Sequence, residues 1–146
     1  MKQTIHVTTQ EQLNQCLDIR KEVFVREQKV DVSLEIDEFD ESPQACYHIL
    51  LLEDCKPTAT GRMRPYTDDT MKLQRIAVRQ SSRGTGAGRA IVLGLEEEAK
   101  RIGYAYTLLD AQCQAEPFYA KLGYVTISEE TFLDAGIPHV RMKKTL

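Results

Sequence analysis

Residues 78–94, "VRQSSRGTGAGRAIVLG", carry the residue types best suited to binding an anion. Three glycines alternate with small residues between Arg83 and Arg89, directly before a hydrophobic helical pattern. A helix N-terminus presents unpaired N–H groups and about half a positive charge. Glycines at Gly84–Gly88 would let successive amides approach one ligand without side chains in the way. The segment therefore predicts a phosphate or pyrophosphate site.

Spacing separates this segment from two other phosphate-binding motifs. A Walker loop requires a lysine after its last glycine, and no lysine follows here. A dinucleotide-binding fingerprint requires G-x-G-x-x-G after a first parallel strand and an acid about 20 residues later. Asp110 lies at about that distance, but Arg89 stands where the third glycine should be, and the preceding strands look antiparallel. An ordinary glycine-rich turn before a helix remains the structural alternative.

The elements that must position this segment follow from periodicity and turn signals. Thr9 and Gln12 form a capping box that predicts a helix from about Gln10. Short turn-like links in the next region favour antiparallel strands over a crossover. Further along, apolar residues repeat at helical spacing as far as Gly103, with i,i+4 ion pairs expected on the opposite face. The predicted strands are 4–7, 46–53, 58–65, 72–78, 106–110, 124–128 and 139–144. One later helix follows the glycine segment, carries Ile91, Leu95, Ala99 and Ile102 on one face and stops at Gly103, and the other is 115–123. This order predicts an α/β (α+β) fold, with a mixed, mostly antiparallel central sheet flanked by helices.

Composition limits the classes of protein to which the chain can belong. Its 146 residues, 42% hydrophobic, fit one domain over 1–146. A net charge of -3 gives no basic footprint, so we expect no nucleic-acid partner. No apolar run approaches the roughly 20 residues that span a bilayer. The four cysteines form no C-x-x-C pair and no apolar leader precedes them, so we expect a cytoplasmic protein without a metal site.

The local charge is uneven. Acids crowd residues 31–41, whereas residues 62–89 carry seven Lys or Arg against two Asp. The first region could hold a cation and the second an anion.

The chain as a whole resembles the GNAT superfamily of N-acetyltransferases. Residues 83–88, "RGTGAG", match its [QR]-x-x-G-x-[GA] coenzyme signature, and "AEPFYAKLGY" at 115–124 resembles its second element. The elements "VFVREQ" at 23–28 and "DAGIPH" at 134–139 resemble one bacterial subgroup. The resemblance implies a GNAT-type domain that transfers acetyl from acetyl-CoA to an amine.

The resemblance also implies roles for particular residues. The backbone of Ile76, Ala77 and Val78 would pair with the pantetheine arm, and one N–H of this strand would polarise the thioester carbonyl. Tyr119 would be the general acid that protonates the departing thiolate. The residues implied in pyrophosphate binding are Arg83, Gly84, Thr85, Gly86, Ala87, Gly88 and Arg89.

The general base is open at this stage. A lysine-like amine of pKa about 10.4 is neutral in only about one molecule in 2,500 at pH 7, so proton removal is needed. Many relatives carry a glutamate before the signature, but this chain has Gln74, which cannot accept the proton. The candidates are Glu27, Asp37, Glu38, His139 and an ordered water.

The acceptor and the assembly are open as well. The acidic stretch 31–41 would favour a cationic amine such as a polyamine, an aminoglycoside or a lysine side chain, and a solvated loop is the alternative. The resemblance is compatible with a homodimer. A CoA-binding or acyl-CoA-binding module without catalysis is the alternative function.

Overall fold

The computed structural model describes residues 1–146, which form eight strands and four α-helices. A π-helix at Lys21–Glu27 continues the first helix, and 3-10 turns lie at Glu38–Asp40, Gln80–Ser82 and Cys113–Ala115. The elements are β1 (Lys2–His6), α1 (Gln10–Arg20), α2 (Val32–Glu35), β2 (Tyr47–Glu53), β3 (Lys56–Pro65), β4 (Thr70–Val78), α3 (Ala87–Arg101), β5 (Tyr106–Gln112), α4 (Glu116–Lys121), β6 (Val125–Thr126), β7 (Phe132–Asp134) and β8 (Ile137–Thr145).

One sheet contains all eight strands, in the order β1-β2-β3-β4-β5-β8-β6, with β7 also paired to β8. The β4–β5 pair is parallel and every other pair is antiparallel. A parallel pair needs a crossover, which α3 supplies between β4 and β5. The predicted α/β (α+β) class, with a mostly antiparallel sheet flanked by helices, is confirmed.

The helices pack on opposite faces of the sheet. Ile76 and Val78 of β4 pack against the larger apolar core, which includes Ile91 and Leu95 of α3. Ala77 belongs to a second core with Leu13 of α1. Successive strand residues point to opposite faces, so the α3 face and the α1 face are each lined by alternate residues of every strand. No helix has the length and apolarity that crossing a bilayer requires.

The start of α1 is as predicted, but its end is not. Thr9 accepts from the Gln12 backbone N–H at 3.2 Å, and the Gln12 side chain accepts from the Thr9 N–H, which completes the capping box. Past Arg20 the helix widens into the π-helix. Such segments change the direction in which the following side chains project, and they occur frequently at functional sites.

Two predictions about the second half of the chain are wrong. The expected ion pairs of Glu96 with Lys100 and of Glu97 with Arg101 do not form. Glu96 is buried and accepts from the Tyr124 hydroxyl at 2.7 Å and from Lys144 at 2.8 Å. The strand expected at 124–128 is only two residues long, and the hairpin of β7 with β8 was not predicted.

Candidate active site

The cleft of this protein opens where β4 and β5 separate. Their parallel ladder runs from Thr70–Tyr106 to Leu73–Leu109 and then ends, although β4 continues to Val78 and β5 to Gln112. The edges that face each other beyond this point have no strand between them. They border a cavity of about 810 Å³ whose lining includes residues 72–78 of β4 and 109–112 of β5.

A β-bulge in β4 accompanies this separation. The β3–β4 register shifts between Thr60–Ala77 and Arg62–Gln74, and Arg75 within the bulge has φ +55°. A non-glycine residue in this region is strained and must be held by its surroundings. The guanidinium of Arg75 donates to the Glu35 carbonyl at 3.2 Å, and thereby holds β4 to the segment around α2. A bulge bends its strand, which here directs the end of β4 away from β5.

Three acids of the stretch that looked like a cation site are neutralised by arginines of the protein. Asp40 bonds Arg20 at 2.7 Å and Arg62 at 2.9 Å, and all three side chains are buried. Asp37 bonds Arg62 at 2.7 Å. Glu35 bonds Arg20 at 2.8 Å and also lies 3.2 Å from the Arg75 guanidinium. We call these six side chains the ion cluster: Arg20, Glu35, Asp37, Asp40, Arg62 and Arg75.

The ion cluster also fixes the residue that replaces the family glutamate. The amide oxygen of Gln74 accepts from Arg62 at 3.2 Å, so this side chain is held as an acceptor of hydrogen bonds and not as a base. Burial raises the pKa of Glu35 despite its arginine partners. The pKa of Asp37 is lowered, because its bonds to Arg62 outweigh the effect of burial.

The glycine-rich segment presents a continuous row of free donors. None of the backbone N–H groups from Gly84 to Arg89 donates to an acceptor within the protein, and the first helical bond of α3 runs from Ala90 to the Gly86 carbonyl. Gly86 is the N-cap of α3 at φ +87°, a conformation that L side chains rarely adopt. A Cβ on Gly88 would lie 3.3 Å from the Phe118 ring. Glycine at positions 86 and 88 therefore leaves the backbone N–H donors uncovered, as an anion site requires.

The two arginines at the ends of this segment differ. Arg83 bonds Glu27 of the π-helix and donates to the Val78 carbonyl at 3.1 Å. Arg89 is exposed, lines the cleft and has no ion-pair partner. Glu27 and Arg83 lie together at the cleft, so the predicted base and the predicted phosphate ligand bond each other.

Tyr119 lines the cleft from α4, next to the ring of Phe118 at a centroid distance of 5.0 Å. Burial raises the pKa of its hydroxyl to about 12, and no hydrogen bond contributes to the shift. The phenol is therefore protonated at neutral pH. Its free hydroxyl is available to donate to a group bound in the cleft.

His139 lines the same cleft from β8 and is buried. Its Cα partner across the β5–β8 ladder is Gln112, whose amide donates to Gln28 at 2.8 Å. The sequence analysis missed Gln28 and Gln112 as site residues. Gln28 stands in the "VFVREQ" element, which was a usable signal, whereas nothing around Gln112 marked it.

The structure brings most of the predicted residues to one cleft and leaves three outside the lining, which are Thr85, Asp37 and Glu38. Asp37 and Glu38 are not among the lining residues, because Asp37 is turned into the ion cluster and Glu38 is exposed. The predicted residues that line the cleft are Glu27, Ile76, Ala77, Val78, Arg83, Gly84, Gly86, Ala87, Gly88, Arg89, Tyr119 and His139.

The residues present fit an extended ligand with a pyrophosphate group. The free amides of Gly84–Arg89 suit the phosphates, and the unpaired edge of residues 74–78 suits an arm that carries its own amides. No group of three or more His, Cys, Asp or Glu residues is arranged to hold a metal ion.

Comparison with known proteins agrees with this geometry. The family model described as Acetyltransferase (GNAT) domain matches residues 8–146. The uncharacterized protein YyaT of Bacillus subtilis is 44% identical over 140 residues, which cover 96% of this chain and 93% of that protein. The uncharacterized N-acetyltransferase YjcF of the same organism is 44% identical over 135 residues, with 92% and 94% covered. The crystal structure of Escherichia coli ElaA superposes with a TM-score of 0.82 at 26% identity, covering 99% of this chain and 98% of that one.

Both the sequence match and the likeness of fold extend over nearly the whole chain. The free amides before α3 and the separated strands lie within the matched residues. This chain belongs to the GNAT acetyltransferase family and is therefore an acyltransferase.

Proposed function

We propose that the protein transfers acetyl from acetyl-CoA to a primary amine of a small molecule or protein, directly, in a ternary complex. The observation that carries the proposal is the cleft between β4 and β5, which has a row of free backbone donors from Gly84 to Arg89 at one end. Acetyl-CoA would supply an activated acyl group on sulfur. All four cysteines are free thiols, in keeping with a cytoplasmic setting for the reaction.

The backbone around the cleft would bind and orient the coenzyme. The amides of Gly84–Arg89 would hold the pyrophosphate, with Arg89 adding charge. The open edge of Ile76–Val78 would pair with the amides of the pantetheine arm, which places the thioester where the strands part. One N–H of this edge would donate to the thioester carbonyl, an interaction that typically contributes about 3 kcal/mol.

Tyr119 would act on the leaving group. Its phenol is protonated at neutral pH and has no competing partner in the protein. A hydroxyl in this position donates to the sulfur as the bond to carbon breaks. The absence of a cysteine from the cleft lining supports direct transfer over an acyl-enzyme route.

The alternative is a module that binds CoA or acyl-CoA without catalysis. Gln74 favours it, because the strand lacks the carboxylate found in many relatives. The two functions are separated by incubating the purified protein with acetyl-CoA and a panel of primary amines, and measuring free thiol together with acetyl-CoA binding by calorimetry. Amine-dependent thiol release supports the transferase. Micromolar binding without release under any amine would support the binding module.

A further inference from the structure

We propose that Nε2 of His139 is the base that takes the proton from the acceptor amine. The inference rests on the proposed function and names a catalytic residue that the resemblance did not single out. It follows from the tautomer of the ring, from its place on the sheet and from the state of the other candidate side chains.

The local backbone fixes the tautomer of His139. Nδ1 lies 2.6 Å from the Ile137 carbonyl oxygen, and a carbonyl only accepts, so Nδ1 carries the hydrogen. The lone pair of the neutral ring is then on Nε2. Nε2 has no hydrogen-bond partner in the protein and is not sealed off from solvent. Since His139 lines the cleft, Nε2 is open to it. The Phe132 ring stacks on the imidazole at 6.1 Å and 24°, which restricts its orientation.

Strand alternation gives the side of the sheet from which His139 acts. Val140 and Met142 of β8 pack in the α3-side core, so His139 projects from the opposite face. The bond from Gln112, its register partner, to Gln28 of the α1 face agrees with this orientation. The pyrophosphate donors before α3 and the imidazole therefore lie on opposite sides of the gap between β4 and β5. An amine that approached from the α1 face would arrive on the side of the gap where His139 lies.

The other candidate bases are occupied or elsewhere. Glu27 bonds Arg83, and Asp37 bonds Arg62 outside the cleft lining. Glu38 also lies outside the lining, and Gln74 has no basic group. Glu35 lines the cleft, but its carboxylate bonds the two guanidinium groups of Arg20 and Arg75. Among the side chains named as candidates, His139 alone keeps a free lone pair in the cleft lining.

The proton balance closes with two residues. His139 Nε2 takes one proton from the ammonium group and passes it to water. As the C–N bond forms and the C–S bond breaks, Tyr119 donates its proton to the sulfur. The second proton leaves nitrogen to water, and water returns a proton to the Tyr119 phenolate. The products are the acetamide and the free thiol of CoA.

The charged groups lining the cleft around His139 are mostly paired. Lys72 of β4 and Arg141 of β8 both bond Asp110 of β5. Asp134 of the neighbouring hairpin is exposed and unpaired. The remaining charged groups of the lining are the pair Glu27–Arg83, the pair Glu35–Arg75 and Arg89.

The test uses His139→Asn, because the Asn side-chain amide reproduces the Nδ1 donor to Ile137 and removes Nε2. His139→Gln is the second variant, and His6→Gln, an exposed histidine outside the cleft, is the matched control. Two acceptors are compared for thiol release: an alkylamine, charged at pH 7, and a hydrazide of similar shape, neutral at pH 7.

We expect a loss of kcat/KM of about 100-fold or more for the alkylamine at pH 7, within the range usual for general base catalysis. Without the base, the variant should react only with the neutral form of the alkylamine, so its kcat/KM should rise about tenfold per pH unit. Its deficit relative to the wild type should therefore shrink toward pH 9.5. The hydrazide should react within about threefold of the wild-type rate. The dissociation constant for acetyl-CoA and the midpoint of thermal unfolding should match the wild type.

Other outcomes separate the two proposals. Equal activity of both variants and the wild type on the alkylamine overturns the base assignment and leaves the transferase intact. An equal loss on both acceptors also overturns it, since this would be a structural effect. If the wild type releases no thiol with any amine, the proposed function fails, and the base assignment fails with it.

Discussion

Replacing Tyr119 with Phe removes one oxygen atom and leaves the surrounding packing in place. No protein group hydrogen-bonds this hydroxyl, so its removal orphans no partner. The ring keeps its edge contacts with Phe118 and Tyr124, at centroid distances of 5.0 and 5.9 Å. We therefore expect the free energy of unfolding to change by less than about 0.5 kcal/mol, a value usual for substitutions that break no special contact.

The catalytic cost follows from the two pKa values involved. General acid catalysis contributes about 10² to 10⁴ in rate. The hydroxyl of Tyr119 has a pKa of about 12, whereas an ordinary thiol has about 8.5, so full proton transfer to the thiolate is uphill by about 5 kcal/mol. This mismatch favours the lower end of the range. We expect kcat to fall about 100-fold, or about 2.7 kcal/mol at 1.36 kcal/mol per decade.

The assay follows thiol release at saturating acetyl-CoA and amine from pH 6 to 9, with acetyl-CoA binding measured separately. Because the raised pKa keeps the phenol protonated throughout this range, the deficit of Tyr119→Phe should be constant with pH. Tyr124→Phe is the matched control. Its hydroxyl bonds Glu96 at 2.7 Å and Thr107 at 2.9 Å, so this variant should lose stability and retain kcat.

A kcat within threefold of the wild type for Tyr119→Phe would refute the reasoning. The reasoning would also be refuted if the dissociation constant for acetyl-CoA rose by the same factor as kcat/KM fell, because the hydroxyl would then be a binding group and not an acid.

Three further predictions concern the coenzyme site, the ion cluster and the acceptor. Gly86→Glu puts a carboxylate among the free amides and a side chain at φ +87°, so the dissociation constant for acetyl-CoA, measured by calorimetry, should rise at least tenfold. The control is Gly103→Glu, at φ +105° beyond the other end of α3, which should leave this dissociation constant unchanged. Asp40→Asn leaves the buried Arg20 and Arg62 without their shared carboxylate, and urea unfolding should show a loss of about 3–5 kcal/mol. Burial raises the pKa of Asp40, but the two arginines lower it by more, so the net pKa lies below its usual range. The stabilisation by Asp40 is therefore complete above the unfolded-state pKa of about 3.9 and is lost as the pH falls from there through the folded-state pKa. Acid titration of the free energy of unfolding should show this loss in the wild type and not in the variant. Nearly every acid of the cleft is paired with a basic side chain. The kcat/KM of a polyamine should therefore exceed that of a monoamine of equal chain length by no more than about tenfold. A larger advantage would contradict the conclusion that the charges of the ion cluster neutralise one another.

Local patterns predicted the elements well where the interactions that form them are close in the chain. The capping box of Thr9 and Gln12 spans three residues, and it formed as predicted. The three strands before the glycine segment are joined by short turns, and they pair as antiparallel neighbours. The π-helix that extends α1 left no such local signal, and neither did the bulge at Arg75.

Pairing between distant residues could not be predicted in the same way. Glu96 looked like a surface residue of α3, but it is buried against Tyr124 and Lys144, 28 and 48 residues away in the chain. The acids of 31–41 looked free to bind a cation. Glu35, Asp37 and Asp40 are neutralised by arginines up to 40 residues distant, because folding brings α1, β3 and β4 against that segment.

The sequence by itself determined that the glycines, the helix start and the flanking arginines lie together, because they are contiguous and their geometry is local; that they bind an anion stays a prediction. It also determined the family, through motifs that extend over most of the chain. Only the tertiary structure decided which ionisable groups remain free. Glu27 and Asp37 are occupied by arginines, whereas Nε2 of His139 is open to the cleft. The physical reason is that the availability of a charge or a lone pair depends on its neighbours in space, and a one-dimensional spacing does not record them.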